Sequence, residues 1–290
     1  MSEVVFLNSA FVPKEEARIS PDDRGFHFAD GVYEVVKYYA GTPFRLDDHL
    51  QRLQRSLSEV KIVYPDAADL GTVFMELLVR NQLHRCDAGV YVQVSRGTHP
   101  RIHHFPAEIT PTVYAFAFEF PSFVGKLRDG IPVAVSEDIR WMRCDIKSVA
   151  LLPNTMIFQQ AVERGAGECI LIRNGQVTEA THSSVLGVKN GKVVTPPLSN
   201  LILPGITRKV ILEICGELSI PVEERQMQEA ELYTLDELII AGTGSEVMPA
   251  VAVAGRPVGN GKPGPVTRLI QYHFFARTGS ELPDWSGKKS

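Results

Sequence analysis

ECILIRNGQVTEATHSSVLGVKNGKVVTP, residues 168–196, carries two Asn-Gly pairs, each set between apolar alternations. Both central positions of a type I′ turn need positive φ, which Asn and Gly tolerate, so the stretch reads as two hairpins in succession. Before it, NTMIFQQAVERGAG reads as a helix ended by glycine, and IPVAVSEDIRW as a strand. After it, ITRKVILEICGEL has amphipathic helical spacing, and DELIIAGTGSEVMPAVAVAG reads as strand, glycine-rich loop and strand. Hairpins outnumber βαβ units here, which argues for an α+β chain and against a doubly wound dinucleotide fold.

The first half has the same mixed character. VVFLNSAFV reads as two strands turning at Asn8-Ser9, and GVYEVVKYYAGTPFRL as two more joined at 40–42. LDDHLQRLQRSLSEVKI places apolar residues at 46, 50, 53, 57 and 60, a helical spacing that Asp47 or Asp48 is expected to cap. DLGTVFMELLVRNQL is a second amphipathic helix, followed by the strands GVYVQVSRG and TPTVYAFAFEF. Pro121, Gly125 and Gly130 break the pattern. The expected organisation is a smaller domain over 1–120, a linker over 121–130 and a larger domain over 131–290.

The chain has 290 residues, 44% of them apolar and 22% charged, with a net charge of −4. That is the balance of an ordinary globular protein and argues against a nucleic-acid binder, which carries a basic excess. No segment has the apolar length of a membrane span. The beginning of the chain lacks the basic region of a secretory signal, so a cytoplasmic location is expected. Cys86, Cys144, Cys169 and Cys215 are widely spaced, which fits free thiols and no metal site.

Four stretches can carry chemistry. LPGITRKVILEIC, 203–215, breaks at Pro204-Gly205 just before a helix whose first turn, Gly205, Ile206 and Thr207, offers unpartnered backbone N–H groups to an anion; seen alone, the stretch favours the plainer reading of a Pro-Gly loop and a helix start. AGTGSE, 241–246, puts two hydroxyls and several amides in a small-residue loop without the lysine of a P-loop; it is equally a tight turn. DIRWMRCDIKSVALL, 138–152, places Lys147 between Arg140 and Arg143 and an apolar run. Burial and nearby positive charge both favour a neutral, nucleophilic amine. Most lysines are simply solvated. Two phosphate cups, such a lysine and a carboxylate, for which Glu179 is available, are together the needs of pyridoxal phosphate. RGTHPRIHHF, 96–105, gathers Arg96, Arg101 and His99, His103 and His104. Arg101 and His103, two apart, point the same way in an extended chain and suit a substrate carboxylate. A zinc site and a basic surface loop are the competing readings.

Taken in order, DRGFHFADGVYEVVKYYAG, HLQRL, RGTHPRIHHFP, EDIRWMRCDIKS, VTEATHSSV, LPGITR and TGSEVMP resemble the class IV aminotransferases over roughly residues 3–275, and most closely the branch that acts on D-amino acids. The resemblance implies a fold-type IV pyridoxal-phosphate enzyme of two α/β-type domains with the cofactor in the cleft between them. It implies a homodimer that transfers an amino group between D-amino acids, such as D-alanine and D-glutamate, and 2-keto acids. Lys147 would form the Schiff base and carry the proton, and Glu179 would pair with the ring nitrogen. Arg52, with the Ile206 and Thr207 amides, Gly205 and Thr243, would hold the phosphate, and Leu203 would support the ring. Tyr33, Arg101 and His103 would hold the substrate carboxylate, the last two reaching from the other subunit. Arg52 and Tyr33 come from the resemblance alone. The neighbouring activities are transfer from branched-chain L-amino acids or R-amines, and an aminodeoxychorismate-type lyase. Gly242 stands where a serine is common, Ala150 where an asparagine is expected, and His182 and Ser184 where a run of serines and an asparagine is more usual.

Overall fold

The computed structural model describes residues 3–279. Met1, Ser2 and 280–290, which the sequence reading places in the first and second domains, lie outside the described residues. The chain divides into two compact units. The first is 1–121 with 146–151, and the second is 122–145 with 152–290.

The first unit is built from β1 (Val4–Leu7), β2 (Ala10–Pro13), α1 (Arg24–Phe28), β3 (Gly31–Tyr39), β4 (Thr42–Pro43), α2 (Leu46–Glu59), α3 (Leu70–Arg80), β5 (Ala88–Ser95) and β6 (Thr112–Glu119). Its strands form one antiparallel sheet in the order β2-β1-β6-β5-β3-β4. Period-two alternation sends Val32 and Val36 of β3, Val90, Val92 and Val94 of β5, and Val113, Ala115 and Ala117 of β6 to one face. There they pack with Leu53 and Leu57 of α2 and Phe74, Leu77 and Leu78 of α3. Each of these large side chains is buried, a stabilisation of about 1.5–3 kcal/mol apiece.

The expected cap of α2 is not where the sequence reading put it. The N-cap is Arg45, with φ 58°, and makes no side-chain cap. Asp47 and Asp48 fall inside the first turn, where their charge complements the helix dipole. Ile146 joins this same core, and that burial brings the segment 146–151 into the first unit.

The second unit contains α4 (Val124–Asp129), β7 (Ile131–Glu137), α5 (Leu152–Glu163), β8 (Glu168–Arg173), β9 (Gln176–Ala180), β10 (Ser184–Lys189), β11 (Lys192–Thr195), α6 (Ile206–Glu217), β12 (Val222–Glu224), β13 (Glu237–Gly242), β14 (Glu246–Val253), β15 (Arg256–Pro257) and α7 (Pro265–Thr278). Its sheet runs β12-β11-β10-β13-β14-β7-β8-β9, with β15 added to β14. The two Asn-Gly turns close the β8–β9 and β10–β11 hairpins, with φ of 52° and 75° at Asn174-Gly175 and 50° and 74° at Asn190-Gly191. The sheet is mixed, because α5 and α6 also serve as crossovers that make β7/β8 and β11/β12 parallel. These elements give the α+β architecture that the sequence suggests.

Candidate active site

In the first unit the start of β3 holds the segment that carries Lys147. Tyr33 N donates to Lys147 O at 3.0 Å, Lys147 N donates to Ser56 Oγ at 3.2 Å, and Val149 N donates to Gly31 O at 3.1 Å. The backbone is thus pinned on both sides of the lysine. Its Nζ lies 4.3 Å from the centre of the Tyr33 ring. Among the described residues no carboxylate comes within ion-pair distance of this amine. The side chain is half-buried.

The two arginines read as raising the positive charge around Lys147 do not serve that purpose, because each is matched by carboxylates. Arg143 Nε sits 3.0 Å from Asp145 Oδ1. Arg140 clasps Asp138 through Nε and Nη2, both at 2.9 Å, and also reaches Glu179.

One face of α2 adds a second cluster. Arg52 Nε and Nη2 donate to the two oxygens of Glu34 at 2.6 and 3.0 Å, and His49 Nδ1 is 2.8 Å from Glu34 Oε2. All three are buried. Burial alone pushes the Glu34 carboxyl up, but the Arg52 charge and the His49 hydrogen bond outweigh it and hold the group well below the usual carboxylate range. Burial lowers His49, and Glu34 offsets this only in part. Glu34 therefore fixes the guanidinium of Arg52 in one orientation. Neither Glu34 nor His49 was found from sequence; the i, i+3 pair His49–Arg52 facing a strand glutamate is the pattern that carries it.

The 96–105 loop separates into anchors and free groups. Arg96, read as part of an anion trap, is an anchor. It is buried, pairs with Asp30 through Nε at 2.8 Å and Nη2 at 2.9 Å, and donates to Val60 O and Lys61 O. Arg24 is a further anchor: its Nε meets Asp30 Oδ2 at 2.8 Å and its Nη1 meets Ile102 O at 2.6 Å. Arg101 and His103 are exposed, and both rest on the Phe28 ring, the guanidinium carbon 4.9 Å and the imidazole centre 5.5 Å from its centroid. No group of residues with metal-ligand composition occurs among the described residues.

In the second unit Glu179, on β9, is buried. It takes a short contact from Arg140 Nη1, and Leu203 N donates to its Oε2 at 3.2 Å. Burial raises its carboxyl above the ordinary value, and Arg140 offsets only part of that. A cationic partner would relieve it. Behind it Asp138 accepts from Thr178 Oγ1 at 2.9 Å and lies 3.1 Å from Arg173 Nη2.

Gly205 is the N-cap of α6 and has no side chain with which to cap the first-turn amides of Ile206 and Thr207. A Cβ at Gly205 would stand 2.5 Å from Ser184 Oγ. Glycine there lets α6 start directly against Ser184 at the beginning of β10. In the 243–245 loop, which carries Thr243, Ser245 Oγ is 3.0 Å from Ser183 Oγ. A Cβ at Gly242 would stand 3.1 Å from that same Ser183 hydroxyl, so the position has little room for the usual serine while Ser183 keeps its place. His182 is half exposed. Its Nδ1 lies 3.1 Å from Glu168 Oε2 and 3.0 Å from Thr181 Oγ1, and its ring packs edge-on to Phe158. Nothing in the structure explains Ala150.

Each of these groups, within its own unit, suits a definite chemical partner. An amine without an acid partner suits an aldehyde, a buried carboxylate suits a ring cation, and uncapped helix amides suit a phosphate. The chain belongs to the class IV aminotransferases, whose family model (amino-transferase class IV) matches residues 31–253, and which are pyridoxal-phosphate enzymes. It is 41% identical over 268 residues to the D-alanine aminotransferase of Bacillus licheniformis, covering 92% of this chain and 94% of that one. Among solved structures it is similar to the branched-chain amino acid aminotransferase of Escherichia coli, with a TM-score of 0.90, 28% identity, and 99% and 98% of the two chains covered. It is also similar to the branched-chain aminotransferase of the thermophilic archaeon Thermoproteus uzoniensis, solved with norvaline, with a TM-score of 0.86, 28% identity, and 97% and 96% covered.

Proposed function

We propose that this chain is a transaminase that takes the amino group from D-amino acids such as D-alanine and D-glutamate and delivers it to 2-keto acids. The observation that carries the reading is the Lys147 amine, held over an aromatic ring and away from any acid among the described residues. Bound pyridoxal phosphate supplies an aldehyde that condenses with amines and a protonated ring that draws electrons from the substrate Cα. The protein does the rest. Lys147 Nζ would be the group that holds that aldehyde and would move the proton to and from the substrate Cα. Glu179 would pair with the ring nitrogen and keep a proton on it. Arg52, the amides of Gly205, Ile206 and Thr207, and Thr243 hold the phosphate, while Leu203 supports the ring. Tyr33, Arg101 and His103 hold the substrate carboxylate. Arg101 carries charge that no carboxylate among the described residues neutralises, which suits a substrate acid and disfavours amines that lack one.

Transfer from branched-chain L-amino acids is the second reading, favoured by the likeness to the Escherichia coli structure. The greater similarity to a D-alanine aminotransferase supports the first. A cytoplasmic homodimer belongs to the same proposal. Support comes from the exposure of Arg101 and His103 in the single chain, and sedimentation equilibrium tests the dimer. Among the described residues no helix is long and apolar enough to cross a membrane.

Borohydride reduction of the loaded protein followed by peptide mass mapping tests the assignment of the lysine. The expected result is a cofactor adduct on the peptide containing Lys147 and none in Lys147→Ala. An adduct on another lysine contradicts it.

A further inference from the structure

Arg101 and His103 differ from the other basic side chains around them. Arg24 and Arg96 are each tied to Asp30 and to backbone carbonyls. Among the described residues Arg101 and His103 share one partner, the ring of Phe28, the last residue of α1. That ring is also met by the Arg24 guanidinium carbon, 4.6 Å from its centroid. Arg24 in turn fixes the carbonyl of Ile102, the residue between Arg101 and His103. One aromatic side chain thus sits where an anchored arginine, a free arginine and a free histidine come together.

The chemistry of this arrangement is specific. A carboxylate in the place of Phe28 would hold Arg101 strongly but would neutralise it. An aromatic face attracts the guanidinium through its quadrupole and leaves both the charge and the N–H fork for another acceptor. Edge contact with the imidazole restrains His103 in the same way and leaves its ring nitrogens for another partner.

We propose that Phe28 is a positioning residue for the carboxylate site: it holds Arg101 and His103 side by side by contacts that leave their charge and donors available to the substrate acid. The inference rests on the reading of Arg101 and His103 as the carboxylate binders. Phe28 touches neither the reacting bond nor the cofactor in this account, so its effect is on the carboxylate alone.

The test compares Phe28→Leu, Phe28→Met and Phe28→Tyr in the loaded enzyme. The readouts are steady-state kinetics with D-alanine, the inhibition constant of propanoate (a carboxylate with no amine), cofactor affinity and thermal melting. Losing the ring is expected to raise KM for D-alanine and the propanoate inhibition constant together by about three- to tenfold. kcat, cofactor affinity and melting should change little, and Phe28→Tyr should restore both constants. The change should shrink to less than twofold when Phe28→Leu is made in an Arg101→Leu background, since there is then less for the ring to position. A fall in kcat with unchanged propanoate binding overturns the proposal, as does an effect that persists in full without Arg101. If Arg101→Leu itself leaves KM and propanoate binding unchanged, the carboxylate reading fails and the proposal with it. If Arg101→Leu weakens both and the Phe28 variants do not, only the role of Phe28 is refuted.

Discussion

Replacing Arg140 with glutamine tests the electrostatics around Glu179. The guanidinium stands between two buried carboxylates, with side-chain exposures of 5% for Arg140, 0% for Asp138 and 8% for Glu179. Asp138 keeps Arg173 and Thr178 when Arg140 is removed. Among the described residues Glu179 keeps only the Leu203 amide. Stranding a buried charge in this way costs about 3–5 kcal/mol. The loss depends on pH in a definite direction. Burial already holds the Glu179 carboxyl above its ordinary value, and removing Arg140 raises it further. A carboxyl whose folded pKa exceeds its unfolded pKa keeps a proton that the unfolded chain sheds. Stability is therefore fullest below the unfolded carboxylate value and falls as pH rises toward the folded one, by about 1.4 kcal/mol per pH unit for one proton. Asp138, which Arg140 helps to hold below its ordinary value against burial, shifts in the same sense when the arginine goes. Urea denaturation of the parent and Arg140→Gln at pH 5, 6.5 and 8, in the same cofactor state, reads the difference. The deficit of the variant should widen from pH 5 to pH 8. A deficit that stays constant or narrows refutes the reasoning.

Other perturbations have equally definite outcomes. Glu34→Gln should weaken cofactor binding, by loosening Arg52, and lower stability by about 3 kcal/mol at pH 7. Because Glu34 is held below its ordinary value, it contributes stability above the unfolded carboxylate pKa that is lost as pH falls through the folded one. The parent should thus lose more on acidification than the variant, as melting at pH 7 and pH 4 will read. Gly264→Ser puts a favoured N-cap residue at the start of α7, yet it should destabilise by about 2 kcal/mol. Its Cβ would stand 2.2 Å from Cδ of Glu237, whose carboxylate already accepts the Val266 and Thr267 amides at 3.0 and 2.7 Å. Calorimetry that shows the variant melting higher contradicts this.

What the sequence made legible is what short-range physics decides. Asn-Gly pairs declare their turns because positive φ is a property of two residues. The helical spacing of α2 and α3 declares their buried faces. Lys147, the first turn of α6 and the Arg-His pair stood out because their residue types are unusual in their settings. What stayed hidden depends on partners far away in the chain. Arg96 looked like a member of the carboxylate trap, but Asp30, 66 positions earlier, makes it an anchor. Arg140 looked like a charge beside Lys147, but Glu179, 39 positions later, takes it. Glu237 caps α7 from 29 and 30 positions away, so no local cap marks that helix. Residues 146–151 fall in the first unit because Ile146 enters its core, and no linker signal announces the return.

The central claim is the transfer of an amino group from D-amino acids through a lysine-held cofactor. The most direct test is the visible absorption of the loaded protein, titrated separately with D-alanine and L-leucine in the absence of any keto acid. The account predicts that D-alanine discharges the band to the amine form of the cofactor, with stoichiometric release of pyruvate, while L-leucine leaves it unchanged. Discharge by L-leucine and silence toward D-alanine would contradict it.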